Sequence, residues 1–310
     1  MKILKNNKLT YYIKNYFIFF IAKFHKNTVS RKLQNNTYDT TYINYRVNYY
    51  NKLLQKQEID SSAESIEHFY KTHKKNAYYF DSIIHLIYFN WHKKINYVFG
   101  DVTHVPKVPS FVKSRPISGD NKNSILLKLD KVRHYFFVND KKKFVDKKNI
   151  LVWRGDARRK PHRLRFLKKL YMHPLCDVGQ THKPIEDVPW QKGKLSVAEQ
   201  LDCKFILCVE GYDVATNLKW TMSSNSLAFS YKMKYETWFM EGELIPNHHF
   251  VLIKDDLSDV EEKMAYYTKN PKEALKIIKN AKEHVRQFQN KKRERYISFL
   301  TIQKYFDMQK

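Results

Sequence analysis

The pattern of apolar and polar residues in the second half of the chain predicts a parallel, helix-covered sheet. Short continuous apolar runs alternate there with amphipathic segments, which is typical of α/β proteins. The predicted strands are residues 149–155, 205–210, 227–231 and 250–253. The predicted helices run up to residue 170, over 214–223, from 258 onward, and over 271–288 and 294–306. We therefore expect an α/β fold.

The first half of the chain follows a different pattern. Residues 40–90 read as Tyr-rich amphipathic helices, and short strands are predicted over 95–100, 111–117 and 125–129. Residues 139–148 are polar and half Lys, which indicates a linker, whereas 174–194 reads as a long loop with a binding role. The resulting segments are 1–39, a domain over 40–148, a domain over 149–288, and a C-terminal helix over 289–310.

The junction after the strand at 205–209 is a candidate anion site. The strand breaks at Gly211, and Asp213 stands where the N-cap of the next helix is expected. Asn217 and Lys219 would then lie in its first two turns, beside free N–H groups and the positive end of the helix dipole. The alternative is an ordinary corner with a solvated Lys, since neither a G-x-G-x-x-G nor a Walker pattern is present.

A second candidate is Asp101, which follows the predicted strand 95–100 and precedes a loop with two prolines, Pro106 and Pro109. Loops just beyond strand ends are where α/β proteins place catalytic groups. The alternative is a surface acid. His248 and His249 suggest a metal site only weakly, because neighbours on a strand point to opposite faces and no Cys or acid completes the set.

The charge narrows the set of partners. The chain of 310 residues carries 57 Lys and Arg against 31 Asp and Glu, a net charge of +26. Such a field attracts nucleic acid, an anionic membrane face or phosphorylated substrates, although abundant Lys and Asn also fit a coding bias. A hydrophobic fraction of 43% excludes general disorder, and the three cysteines form no C-x-x-C pair, which favours a reducing cytoplasm.

The N-terminus contains an apolar run, residues 16–22, that is too short to span a bilayer and lacks the features of a secretory signal. On a helix its large apolar residues share one face, while Lys14 and the basic residues that follow point elsewhere. These residues are Ile13, Phe17, Phe20, Ile21 and Phe24. The pattern predicts an amphipathic helix that docks on anionic lipid; the alternative is a helix packed on the protein's own core.

Four segments, in this order, resemble glycosyltransferase family 90. They are residues 100–109 (GDVTHVPKVP), 123–134 (NSILLKLDKVRH), 153–156 (WRGD) and 210–227 (EGYDVATNLKWTMSSNSL). The likeness runs from about residue 46 to 288 and is nearest to the bacterial lipopolysaccharide core branch, with the protein O-glucosyltransferases more distant. The resemblance implies a GT-B fold, in which two Rossmann-like domains face a cleft. The domain over 149–288 would bind the UDP-sugar and the domain over 40–148 the acceptor.

The resemblance also implies roles for single residues. Asp101 matches the catalytic aspartate, and Arg154 and Gly155 match an aromatic-Arg-Gly turn that faces the donor phosphates. Gly211 and Asp213 belong to the donor turn, and Lys219 matches a basic donor position. Asn217 departs from the Arg of eukaryotic relatives. Arg163 is a weaker phosphate candidate, the alternative being a solvated basic face. Glu241 is a candidate for contact with the donor ribose or sugar.

The implied function is inverting transfer of a hexose, glucose or galactose, from a UDP-sugar to a sugar hydroxyl of the lipopolysaccharide core. No metal or cofactor is expected beyond the donor, because no Asp-x-Asp stands at a strand end. The expected location is the cytoplasmic face of the bacterial inner membrane, as a peripheral protein. The alternative from another class is a basic nucleic-acid-binding protein, but no helix-turn-helix, RRM or zinc pattern supports it.

Overall fold

The computed structural model describes residues 8–34, 37–182 and 187–310. The helices are α1 (Lys8–Ile21), α2 (Val29–Leu33), α3 (Thr40–Tyr50), α4 (Ile66–Thr72), α5 (Ala77–Leu86), α6 (Lys131–His134), α7 (Pro161–Leu170), α8 (Val197–Gln200), α9 (Leu218–Met222), α10 (Val260–Lys269), α11 (Pro271–Arg286) and α12 (Lys291–Asp307). The strands are β1 (Glu64–Ser65), β2 (Lys94–Ile95), β3 (Tyr97–Val98), β4 (Ser110–Val112), β5 (Ser114–Pro116), β6 (Ser124–Leu126), β7 (Lys148–Gly155), β8 (Cys176–Gln180), β9 (Cys203–Leu207), β10 (Leu227–Ser230), β11 (Tyr235–Thr237) and β12 (Val251–Leu252).

The chain divides into two compact units, which differ from the predicted segments. The first unit holds described residues up to 135 together with 234–242 and 288–310, and the second holds 136–233 and 243–287. The difference at 136–148 has a clear physical cause. Lys147 is buried and donates to Asp140 and to the carbonyl of Leu201, so this Lys-rich run packs into the second unit. Parts of the predicted segment 1–39, namely 1–7 and 35–36, lie outside the described residues.

The second unit confirms the predicted parallel sheet. Its five strands pair in the order β12–β10–β9–β7–β8, all parallel. The core places Leu151, Phe205 and Phe229 of the strands against Phe166 of α7 and Ile278 of α11. A parallel sheet covered by helices needs apolar strands, and the continuous apolar runs supply them.

The prediction of a loop over 174–194 is wrong in part, because β8 occupies residues 176–180. This strand lies at the edge of the sheet, and its sequence CDVGQ mixes polar residues and a glycine with few apolar ones. Four of its five residues are buried, but its polar side chains and glycine interrupt the continuous apolar run by which β9 is predicted.

The first unit combines helices with small sheets. Strands β3, β4 and β6 form a parallel sheet, and β11 pairs antiparallel with β5. Phe80, Phe111 and Ile302 belong to its core. The stretch 40–90, predicted as helical, is divided among α3, β1, α4 and α5. Asn76 begins a new helix there, because its side chain accepts from the backbone N–H of Tyr79 at 2.9 Å.

Candidate active site

The three-stranded parallel sheet of the first unit brings charged residues together at one edge. Val98 of β3 pairs with Val112 of β4, and Val112 pairs with Leu126 of β6, so the carboxyl ends of the three strands are level. Asp101, Lys113 and Asp130 follow β3, β4 and β6, respectively. Carboxyl ends of parallel strands are the usual place for binding and catalytic groups.

The backbone around Asp101 is held from both sides. Gly100 has φ +117°, a conformation that glycine adopts without the strain of a side chain. Ser114 Oγ accepts from the backbone N–H of Val102 at 3.1 Å and donates to the carbonyl of Val102 at 3.0 Å. The loop therefore presents Asp101 in a defined position just beyond β3.

Two cations face the Asp101 carboxylate. Lys113 Nζ lies 2.5 Å from Oδ1 of Asp101, and Nη2 of Arg133 lies 3.8 Å from the same oxygen. The Lys113 side chain is almost fully buried, whereas that of Asp101 is 23% exposed and that of Arg133 is 49% exposed. The buried Lys113 ammonium therefore orients the Asp101 carboxylate from the protein interior, and the carboxylate remains accessible to solvent.

Asp130 adds a second carboxylate to this cluster. It has φ 52°, in the left-handed region, and lies directly before α6. Its Oδ2 lies 3.4 Å from Nη1 of Arg133 and 3.7 Å from Nε2 of His134. The pKa of Asp130 is raised to about 6, chiefly by burial; Arg133 and Lys113 act to lower it, whereas Asp81 and Asp101 act to raise it. Arg133 therefore bridges two carboxylates.

The sequence predicts a role for Asp101 but not for Lys113, Asp130 and Arg133, which the structure places around it. Asp130 and Arg133 stand inside the segment 123–134 that resembles family 90, so that segment was the available signal. No signal in the sequence marked Lys113, because only the pairing of β3 with β4 brings this residue to Asp101.

In the second unit, the predicted phosphate ligand Arg154 is engaged by an acid. Its Nη2 lies 2.8 and 2.9 Å from the two carboxylate oxygens of Asp177. Its Nη1 donates to the carbonyl of Asp177, and its Nε donates to the carbonyl of Gly193. A phosphate would have to share or replace these partners. Beside it, a Cβ on Gly155 would lie 2.6 Å from Cζ2 of Trp153, so the indole occupies the space of a side chain there.

Arg163 of α7 contacts the turn before Gly211 directly. Its guanidinium donates to the carbonyls of Val209 and Glu210, each at 2.9 Å, and to that of Asp156 at 2.8 Å. A Cβ on Gly211 would lie 3.4 Å from Nη2 of Arg163. Arg163, which the sequence predicts less strongly than Arg154 as a phosphate ligand, therefore joins the ends of β7 and β9.

The prediction of a helix over 214–223 with Asp213 as its N-cap is wrong at its start. Helix α9 begins at Leu218 and has five residues, with Asn217 before it and no side-chain cap. Asn217 Nδ2 instead donates to the carbonyl of Leu207 at 2.9 Å, which ties the intervening turns back to β9. A helix of this length offers little dipole, so the helix dipole does not support an anion site at this turn.

The other predicted donor residues are buried. Asp213 is 1% exposed and Lys219 is fully buried. Glu241 belongs to the first unit, not to the unit that holds the other predicted donor residues. It accepts from the backbone N–H of Thr237 at 2.6 Å and from the Thr237 hydroxyl at 3.0 Å. Over the described ranges, no group of three or more His, Cys, Asp or Glu is arranged to hold a metal.

Comparisons with known proteins identify the family. The model described as "Glycosyl transferase family 90" matches residues 127–310. The chain belongs to glycosyltransferase family 90. It is also similar to a protein named O-glucosyltransferase LpsA from Dichelobacter nodosus, with 44% identity over 266 residues, 86% of this chain and 83% of that protein. The family match includes Asp130, Arg133, Arg154 and the 210–227 segment; Asp101 lies before its start.

Proposed function

We propose that this glycosyltransferase moves a hexose, glucose or galactose, from a UDP-sugar to a sugar hydroxyl of the lipopolysaccharide core, with inversion at the anomeric carbon. Membership of family 90 and similarity to a protein named O-glucosyltransferase LpsA support the reaction class. The observation that carries the proposal for mechanism is the Asp101 carboxylate, held by Lys113 and Arg133 beyond β3 and accessible to a substrate.

In the proposed step, Asp101 takes the proton of the acceptor hydroxyl while its oxygen attacks the anomeric carbon. The bond from that carbon to the UDP oxygen breaks, and the electron pair leaves with UDP. A single displacement of this kind inverts the configuration. The base must approach the hydroxyl to about 2.6–3.2 Å. Lys113 acts as a positioning residue, because it holds Asp101 without being exposed itself.

We propose that the second unit binds the donor and that the first unit supplies the base, as in the GT-B fold that the resemblance implies. Arg154 and Arg163 are the proposed cations for the diphosphate, with the turn of Gly155 and the turn of Gly211 beside them. Guanidinium groups bind phosphate through charge-assisted, often bidentate hydrogen bonds, so the proposed chemistry needs no metal ion. Asp213, Asn217 and Lys219 would then shape the donor turn from within, and Glu241 stays a weaker candidate for the donor sugar.

We place the reaction at the cytoplasmic face of the inner membrane, with the protein attached peripherally. A phosphorylated glycolipid acceptor suits a chain with a net charge of +26. Across the described residues, no helix has both the length and the hydrophobicity of a membrane span. The alternative of a nucleic-acid-binding protein finds no support in the family match or in the similar protein.

Mass spectrometry of core oligosaccharide from cells with and without this gene tests the proposal. We expect the core of the deleted strain to lack one hexose and to regain it when the gene is restored. An unchanged core in the deleted strain would contradict the proposed acceptor.

A further inference from the structure

Helix α1 packs on the first unit with one face only. Tyr12, Ile18 and Phe19 contact the core, and Phe19 stacks on Tyr70 with ring centroids 4.5 Å apart. Tyr11 donates its hydroxyl to Asp81 Oδ1 at 2.8 Å. The helix is therefore fixed in place by aromatic packing and by a hydrogen bond to a buried carboxylate.

The other face of α1 is a stripe of large apolar side chains open to solvent. Leu9, Ile13, Phe17, Phe20 and Phe24 are each 61 to 83% exposed. Their spacing of four, four, three and four residues keeps them on one side of the helix and its 3₁₀ extension. A contiguous apolar surface of this kind usually marks an interaction site. The Ile21 side chain, which the sequence also assigned to this face, lies outside the described side chains.

The charge of this segment identifies the kind of partner. No acidic residue precedes Asp39, whereas eight basic residues do: Lys2, Lys5, Lys8, Lys14, Lys23, Lys26, Arg31 and Lys32. Lys8, Lys14 and Lys26 are exposed in the structure. A second copy of the chain would bring the same positive charge, which disfavours pairing through this face. An anionic bilayer offers both hydrocarbon and negative charge.

We infer that the exposed face of α1 inserts into the surface of an anionic phospholipid bilayer while its opposite face anchors the first unit there. The 14 residues of α1 span roughly 21 Å, less than the hydrocarbon core, so the helix lies in the plane of the interface. This docking surface is separate from the residues proposed to carry the reaction. The apolar residues enter the acyl boundary, and the lysines face the headgroups.

Substitution of the exposed face is the cleanest test, because deleting α1 would also uncover the core beneath Phe19. The test variant is Ile13→Glu, Phe17→Glu and Phe20→Glu. The matched control is Leu54→Glu, Met172→Glu and Ile245→Glu, three residues elsewhere that are 56 to 87% exposed. Both variants change the charge by the same amount. Thermal unfolding of each protein checks that the fold is intact.

Co-sedimentation with phosphatidylglycerol–phosphatidylethanolamine vesicles, and with neutral phosphatidylcholine vesicles, measures docking. We expect the parent and the control to pellet with anionic vesicles, and the α1 variant to partition at least tenfold less. Equal pelleting of the α1 variant and the parent would overturn the inference, as would failure of the parent to pellet. A parent that is dimeric by light scattering and becomes monomeric in the α1 variant would also overturn it. Catalysis plays no part in this readout, so failure of the proposed reaction leaves the test valid.

Discussion

Lys113 Nζ lies 2.5 Å from Oδ1 of Asp101, and the lysine reaches that carboxylate from a fully packed environment. The surrounding protein restricts the position of the Lys113 ammonium, because the side chain is only 1% exposed. Asp101, at 23% exposure, is therefore oriented by the interior of the first unit and still open to a substrate. This combination is what a positioned general base requires.

Replacing Lys113 by Met should lower kcat and leave the KM for UDP-sugar unchanged. Met has similar length but no charge, so Asp101 would lose its orienting partner. A charge-assisted hydrogen bond is worth roughly 1.5–3 kcal/mol, which corresponds to a loss of about tenfold or more. Steady-state kinetics would measure it. Lys122→Met is the control, since Lys122 pairs with Asp120 at 3.0 Å on an exposed surface and should have little effect. Unchanged kcat in Lys113→Met would contradict the positioning role.

Asp130→Asn should remove part of the pH dependence of stability. The folded pKa is raised to about 6, above the value of an unfolded Asp, so the folded state holds the proton more tightly. Stability then decreases as the pH rises from about 4 to 6, by about 1.4 kcal/mol for each unit of the shift. Asn keeps the shape and tolerates a positive φ.

Urea unfolding of parent and Asp130→Asn at pH 4 and pH 7 checks this prediction. The parent should lose more unfolding free energy between the two pH values than the variant. Parallel changes in the two proteins would show that Asp130 titrates at an ordinary pKa in the folded state.

Arg154→Ala should weaken UDP binding by tenfold or more if the guanidinium contacts the diphosphate. Asp177→Asn is the matched comparison, because it removes the charge that Arg154 faces while keeping the arginine. Isothermal titration calorimetry with UDP measures binding of the diphosphate, and thermal unfolding measures the structural contribution of Arg154. Equal losses of stability with unchanged UDP affinity in both variants would mean that Arg154 only joins β7 to β8.

Removal of divalent metal ions by EDTA should leave the rate of sugar transfer unchanged, since guanidinium groups are proposed to neutralise the leaving diphosphate. The measurement is the initial rate with and without EDTA. Activity that disappears with EDTA and returns with Mn²⁺ would refute the metal-free proposal.

The strands of the second unit could be predicted because burial on both faces demands continuous apolar residues, as in β9 and β10. The start of α9 could not be predicted, because residues 211–217 form bends and turns that the apolar pattern does not mark, with the amide of Asn217 bonded to the carbonyl of Leu207. The candidate site was likewise only partly predictable from local sequence. Asp101 stood in a recognisable segment, but Lys113 joins it only through the pairing of β3 and β4.

The most direct measurement is hexose transfer by purified parent and Asp101→Asn, with UDP-glucose or UDP-galactose and core lipopolysaccharide from cells that lack this gene. We expect the parent to add one hexose, detected by mass spectrometry, and the variant to transfer it more slowly by a factor of roughly 10² to 10⁴. UDP should still raise the unfolding temperature of the variant, because an amide has the same volume but cannot take the proton. Transfer by Asp101→Asn at the parental rate, or no transfer by folded parent with either donor, would contradict these expectations.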